Sequence, residues 1–258
     1  MASSSTRWLK AAALPAAFLA AAEIWFRGPG KDSESLAAPT AVARAFLEAA
    51  GDGTLAVATW QTLLGAIGGL ALGAVTGLAL GFLIGLSRAA ITLTTPAVEL
   101  FRPIPSVALI PLAMLVFGFG YGIEMAIVAF ATFWPCLILA QAAASQIEPR
   151  LLEVSRVLGL SGMQRLWKIV LPAAMPRIFV ALRLAAGFAL VVAVTVEIAA
   201  NPQGLGYMLM IAQQTLRPEL MLAALVWIGF LGWAVNAGLN ALQHRLFRHQ
   251  RIGAEARP

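Results

Sequence analysis

The chain has 258 residues, 60% of them hydrophobic and 12% charged, with a mean hydropathy of +0.83. A soluble domain carries about 25% charged residues, so the composition excludes a water-soluble domain and points to a polytopic membrane protein. The formal charge of +6 does not bring in nucleic acid, because the basic residues sit at the ends of apolar runs without aromatic interleaving and read as topology signals.

The apolar runs are long and continuous, which predicts helices and not a barrel of short alternating strands. At ~20 residues per span the length allows about five to seven of them. The single cysteine, Cys136, lies inside such a run and reads as an inert core residue.

Arg7 and Lys10 precede an alanine-rich run from Ala11 to Phe26. A basic start and small residues at Ala20 and Ala22 fit a cleaved signal peptide. Trp25 and Phe26 extend the run, however, and an uncleaved first span is the expectation. Residues 27–53 form the longest polar connection. Within it PTAVARAFLEAA (Pro39–Ala50) places Val42, Phe46 and Ala49 on one face and Arg44 four before Glu48, which predicts a short amphipathic helix on the membrane surface.

The second run, Leu55 to Leu86, carries Gly65, Gly69, Gly73, Gly77, Gly81 and Gly85, one every fourth residue. On a helix of 3.6 residues per turn this row is a shallow groove that winds slowly, where another backbone can come close. Ser87 to Thr95 is expected to be a turn. The third span, Pro96 to Phe117, contains Pro96, Pro103, Pro105 and Pro111, and each internal proline removes a helical hydrogen bond. A kinked or partly unwound start is predicted, with Glu99 and Arg102 three apart and able to pair. Gly118 to Gly122 makes a tight turn, and Ile123 to Ala144 is the fourth span, with Glu124 at its mouth.

Glu148 to Pro176 is the most charged and best-punctuated stretch of the chain. Glu148 and Pro149 open a helix, Leu151, Val154 and Leu158 recur at helical spacing, and Gly159 can close it in the left-handed conformation. Ser161 and Gln164 read as a capping box for a second short helix carrying Leu166, Trp167, Ile169 and Val170, which Pro172 and Pro176 are expected to stop. The fifth span follows from Ile178 to Ala200, with Glu197 near its end. NPQGLG (Asn201–Gly206) reads as a turn or re-entrant loop, and Leu220 to Leu242 is the sixth span. His244 and His249 in the basic tail read as solvated groups and not as metal ligands.

Six spans put both termini, Arg88 and the elbow on one side. That side collects Arg7, Lys10, Arg88, Arg150, Arg156, Arg165, Lys168, Arg177, Arg183, Arg245, Arg248, Arg251 and Arg257. The other side has Arg27, Lys31, Arg44 and Arg217, offset by Asp32, Glu34, Glu48, Asp52 and Glu219. The bias makes the termini and the elbow cytoplasmic. The expectation is an all-α membrane protein of six transmembrane helices, with a helical hairpin between the fourth and fifth spans that a soluble partner could grip. It forms one domain over residues 1–258: a first span and periplasmic connection (1–54), a core (55–245) and a basic tail (246–258).

Glu153, with Gly159 six positions on and Ile169, Leu171 and Pro172 beyond, resembles the EAA-loop signature of ABC-importer permease subunits. Val154 and Ser155 stand where the signature has two alanines, and both are small. FRPIPSVALIPLAMLVFGFG (Phe101–Gly120) and GLGYML (Gly204–Leu209) resemble the permeases of the sulfonate, taurine and nitrate importer group. The resemblance runs over residues 55–245.

It implies a type I ABC-importer permease of the bacterial inner membrane, two copies of which (a homodimer) form the pore. Its partners would be two cytoplasmic ABC ATPases and a periplasmic substrate-binding protein. ATP and magnesium would sit on the ATPase, for this chain has no G-x-x-x-x-G-K-[ST] phosphate loop and is not expected to be an enzyme or to bind a cofactor or metal.

Carried over by position, Glu153, Val154, Ser155, Arg156, Leu158, Gly159 and Leu160 would couple to the ATPase. Ser161, Gln164, Ile169, Leu171 and Pro172 would shape the loop. Glu99, Arg102, Pro103, Pro105, Glu197 and Asn201 are candidates for the translocation path. Sulfonates, taurine, nitrate, bicarbonate, aromatic acids and vitamin precursors all fit as substrates. Two other classes compete: an ion-coupled secondary transporter or channel, which would favour intramembrane charges and inverted repeats, and a non-transporting scaffold.

Overall fold

The computed structural model describes residues 4–30, 33–147 and 149–246, and within them every regular element is helical. In chain order these are α1 (Ser4–Arg27), α2 (Pro39–Gly51), α3 (Thr54–Gly85), α4 (Arg88–Phe101), α5 (Ile110–Phe117) and α6 (Tyr121–Ser145). There follow α7 (Pro149–Val157), α8 (Gly162–Arg165), α9 (Leu171–Ala199), α10 (Gly204–Gln214) and α11 (Pro218–Leu246). Lys31, Asp32, Glu148 and the tail from 247, with Arg248, His249, Arg251 and Arg257, lie outside the described residues, as do the side chains of Arg7, Lys10 and Arg156.

Helix α3, helix α6, the run Gly162–Ala199 and the stretch Pro218–Arg245 are each long and apolar enough to cross a membrane. Helices α4 and α5 together make a further, broken span. Helix α1 has 24 residues, about 36 Å at 1.5 Å per residue, enough for the first of the six expected crossings.

The chain divides into two compact units: Met1–Gln61 with Gln203–Phe230, and Thr62–Pro202 with Leu231–Pro258. In the first, α2 lacks a capping side chain of its own at Ala38. Glu23 of α1 supplies one, accepting from the Thr40 amide (2.9 Å) and hydroxyl (2.6 Å) while paired with Arg27. An unsatisfied first-turn N–H is thereby tied to a carboxylate, which the helix dipole also favours.

The apolar face of α2 is used inside this unit, where the Phe46 ring lies 5.5 Å from that of Trp227 on α11. Trp227 also donates to the Thr59 hydroxyl (2.8 Å), and Gln61 accepts from the Gly204 amide (3.0 Å) that opens α10. Asp52, before α3, accepts the Thr54 amide and hydroxyl, which holds its carboxyl below the ordinary aspartate value.

The second unit is organised around α6. The glycine row of α3 lies against it, as the four-residue spacing predicts. A Cβ at Gly65 would overlap the Glu124 carboxylate, one at Gly69 would meet Val128, and one at Gly77 would stand 2.5 Å from the Phe133 carbonyl oxygen. At Gly81 it would meet Leu137, and at Gly85 the Gln141 carbonyl oxygen. Numbers rise together along both helices, so α3 and α6 run parallel. A chain that ends one helix and begins its parallel neighbour must recross the bundle between them. The broken pair α4/α5 therefore traverses it and does not turn back.

Helix α6 also meets a second row of small residues that sequence reading did not pick out: Ala181, Ala185, Ala189 and Ala193 of α9, all buried and again four apart. Ile123, Ile127 and Val128 pack with Ala193 and Val196, Cys136 with Ala185, and Ala143 with Ala174 and Ile178, so α6 and α9 are antiparallel. Small residues in both rows let three helices close tightly where no hydrophobic driving force operates between lipid and protein.

Several expectations are corrected. Ser87 to Thr95 is not a turn: Ser87 caps α4 by accepting from the Ala90 amide (3.3 Å), and the Thr92, Thr94 and Thr95 hydroxyls bond back to carbonyls one turn earlier. The kink expected in the third span is present, but it does not lie at the start of the span. Pro96 is absorbed within α4, and the break falls after Phe101, where Pro103 and Pro105 come together. A short 3-10 turn at Ser106–Leu109 then leads into α5, with 76° between the two arms.

Glu99 and Arg102 are both exposed and form no ion pair with each other. The NPQGLG segment is irregular only to Gln203, since Gly204 takes a positive φ of 86° and starts α10.

Pro172 and Pro176 do not stop the second helix of the elbow. Leu166–Val170 forms a π-turn in which the Leu171 amide reaches back to the Leu166 carbonyl. This wider turn makes room for the ring of Pro172, which would otherwise press on a carbonyl one turn back. The helix then runs on through Pro176 to Ala199.

Candidate functional site

The first arm of the elbow ends as its residues dictate. Gly159 adopts φ +64°, a conformation costly for any residue with a Cβ. It allows the Leu160 amide to reach the Ser155 carbonyl (3.1 Å), the six-to-one bond of a Schellman cap. Ser161 then opens the second arm through a complete capping box, its hydroxyl accepting from the Gln164 amide (3.3 Å) and the Gln164 side chain accepting from the Ser161 amide (3.0 Å). Leu171 and Pro172 stand at the start of α9, and Ile169 lies in the π-turn.

The two arms differ mechanically. Gly162–Ala199 is one helical run of 38 residues, about 57 Å long against a hydrocarbon layer of ~30 Å. The elbow's second arm is therefore the overhanging end of a membrane helix, and a push on the elbow is a push on α9. The first arm presents its apolar stripe outward: Leu151, Val154 and Leu158 are exposed, Val157 is 88% exposed, and Met163 and Trp167 continue the surface onto the second arm. Ser155 instead is fully buried. Glu153 stands exposed on the same arm and makes no ion pair among the described residues. An apolar surface of this extent with a lone acid on it has the make-up of a docking face.

The path candidates do not form one site. Pro103, Pro105 and Arg102 sit at the break of the third span. Arg102 lines a cavity of about 450 Å³ between that break, α6 and α9. Glu197 and Asn201 lie fully buried in the interior. Asn201 is a latch: its amide oxygen accepts from the Gly120 amide (2.8 Å) and its nitrogen donates to Glu124 Oε2 (3.1 Å). The turn between α5 and α6 is thus fixed to the end of α9.

Glu124, expected at the mouth of its span, is completely buried against Gly65. An acid in the first turn of a helix opposite a bare glycine is the signal that marks it. Asn201→Ala removes both bonds, one of them to a carboxylate. It is expected to destabilise the chain by roughly 2–3 kcal/mol, read as a fall of several degrees in the melting temperature in detergent. Asn201→Ala melting with the wild type would show the latch to be idle.

The family described as binding-protein-dependent transport system inner membrane component matches residues 69–252. The chain is 33% identical over 151 residues to the taurine transport system permease protein of Escherichia coli, and that stretch is 58% of this chain and 55% of the relative. It is 32% identical over 218 residues to an aliphatic sulfonates transport permease protein of Escherichia coli, covering 83% of this chain and 81% of that one. A bicarbonate transport system permease protein of Synechococcus elongatus is 29% identical over 63% of this chain and 59% of its own length. The chain thus spans little more than half of the taurine and bicarbonate relatives. Among solved structures, the inward-facing MetNI methionine ABC transporter shares the fold at a TM-score of 0.64 and 22% identity, over 73% of this chain and 94% of that one.

Proposed function

The chain belongs to the family of binding-protein-dependent transport system inner membrane components, and from that premise we propose that it is the permease of an ATP-driven importer for a small anionic solute. In this reading it works as a homodimer in the bacterial inner membrane, termini and elbow in the cytoplasm. Each copy is gripped at the elbow by a separate ATPase subunit and is supplied with solute by a periplasmic binding protein. The observation that carries the reading is the outward-facing apolar stripe with Glu153, mounted on an elbow whose second arm is continuous with α9.

The mechanism follows from that continuity. Residues 153–160 seat in a groove of the ATPase, where Glu153 pairs with a basic group and the Gly159 cap sets the angle between the arms. When ATP closes the ATPase pair, the elbow moves and α9 moves with it. Helix α9 is packed along α6 by its alanine row and α6 along α3 by the glycines, so the displacement travels as a rigid-body shift of packed helices. The break at Arg102–Pro105 already interrupts a membrane span of that unit, and the bundle gives way there. The sulfonate and bicarbonate relatives support the anionic class; the relatives differ in the solute they are named for, so the individual solute belongs to the binding protein.

The test is uptake in proteoliposomes holding the permease, its ATPase and its binding protein. Accumulation is expected to require internal ATP and to persist when ionophores collapse the ion gradients. Uptake that needs a gradient and ignores ATP would overturn the reading in favour of a secondary transporter.

A further inference from the structure

We infer that the cavity beside the broken span is a binding site within the permease for an amphipathic organic anion, one with a sulfonate or carboxylate head and an apolar tail. The cavity holds about 450 Å³, within the range of small-molecule sites and several times larger than an inorganic oxyanion needs. Its polar groups are donors. Arg102 and Ser106, both at the break, supply them. Trp134, in the middle of α6, lines the wall with its ring, its indole nitrogen being closed off from the cavity. Arg102 makes no ion pair among the described residues, and no acid lines the space with it.

An arginine at this depth, level with the middle of α6 and α9, is expensive against lipid and is kept where water or an anion reaches it. The remaining wall is apolar, formed by Phe130, Phe188 and Val192 among others. Phe130 stands edge-on to Trp134 with ring centroids 5.8 Å apart, so the aromatic surface is already ordered. Nitrate or bicarbonate would leave that wall unused, whereas an organic anion would set its head on Arg102 and Ser106 and its tail on the rings. Phe188 and Val192 belong to α9, the helix that continues from the elbow, so a shift of α9 changes the cavity directly. The site rests on the importer reading for its place in the transport cycle, though not for its binding chemistry.

The experiment is saturation-transfer NMR on the purified full-length permease with benzenesulfonate as probe, beside benzyl alcohol and benzylammonium, which share the ring but not the charge. Saturable binding of benzenesulfonate alone is expected. Arg102→Gln should weaken it by roughly tenfold or more, the loss of a charge-assisted hydrogen bond. Ser106→Ala, which removes the neighbouring hydroxyl donor, should weaken it severalfold. Equal binding of benzyl alcohol, or undiminished binding in both variants, would overturn the site and leave an apolar crevice. The wild-type comparison of the three probes decides the matter even where a variant does not fold. Sulfonate binding without ATP-dependent uptake would retire the importer reading and keep the site; uptake without sulfonate binding would do the reverse.

Discussion

Gly77→Leu is expected to unfold the helical bundle at temperatures the wild type survives, with a melting temperature in detergent lower by about 10 °C. The estimate starts from the first added atom. A Cβ at Gly77 meets the Phe133 carbonyl oxygen at 2.5 Å and the Leu137 amide nitrogen at 3.2 Å. Both belong to the backbone of α6 and cannot rotate aside. Overpacking that a side chain can relieve costs about 1–3 kcal/mol; here α3 and α6 have to move apart, which places the cost at about 3 kcal/mol or above. For a chain of this length each kcal/mol is worth about 2–4 °C. Gly229→Leu is the control, since a Cβ there has no atom within 4 Å and the change gains helix propensity. If Gly77→Leu melts with the wild type while Gly229→Leu does the same, α3 does not pack on α6 through its glycines.

That glycine row was legible in the sequence because its signal is periodic and its chemistry single-valued: a residue with no side chain every fourth position is hard to explain except by close approach. The matching alanines of α9 were not, because alanine is common in any apolar helix and Ala181, Ala185, Ala189 and Ala193 stand among other small residues. The capping box at Ser161 and the cap at Gly159 were readable for the same reason as the glycines, each depending on local chemistry alone.

Proline misled in two opposite ways. Pro172 and Pro176 were expected to end a helix and instead sit in one, since a π-turn in front of Pro172 removes the clash that would break it. The prolines of the third span were expected to kink or unwind its start; Pro96 lies quietly inside α4, while Pro103 and Pro105, two apart, make the break further along. A proline's effect depends on whether the turn before it can widen, and that is a tertiary matter.

The elbow's turns were legible through their capping residues and the orientation of its apolar stripe was not. Helical spacing of Leu151, Val154 and Leu158 is ordinarily the mark of a buried face, and only the structure puts these residues outward and Ser155 inward. Glu124 and Asn201 were read separately, one as a residue at the mouth of a span and the other as part of the path. Their hydrogen bond joins positions 77 apart in the chain, a distance over which no local pattern carries information. Arg102 was noticed for its spacing from Glu99. Its surroundings, the aromatic wall supplied by α6 and α9, come from packing.

Glu153→Arg is expected to uncouple the transporter while leaving the permease intact. Glu153 is exposed and unpaired among the described residues, so reversing its charge should alter the stability of the isolated chain by no more than about 0.5 kcal/mol. In the proposed docking on an ATPase the same change would replace an attraction by a repulsion in a partly desolvated groove, where losing one partner of a charge pair costs roughly 2–5 kcal/mol. Docking should weaken by at least about thirtyfold. The decisive measurement is ATP hydrolysis by the reconstituted permease–ATPase complex, with and without loaded binding protein, for the wild type and for Glu153→Arg. Stimulation by the binding protein in the wild type and its loss in the variant, at an unchanged melting temperature, is the predicted result. A variant stimulated as strongly as the wild type would contradict the assignment of the elbow as the point at which the ATPase drives this chain.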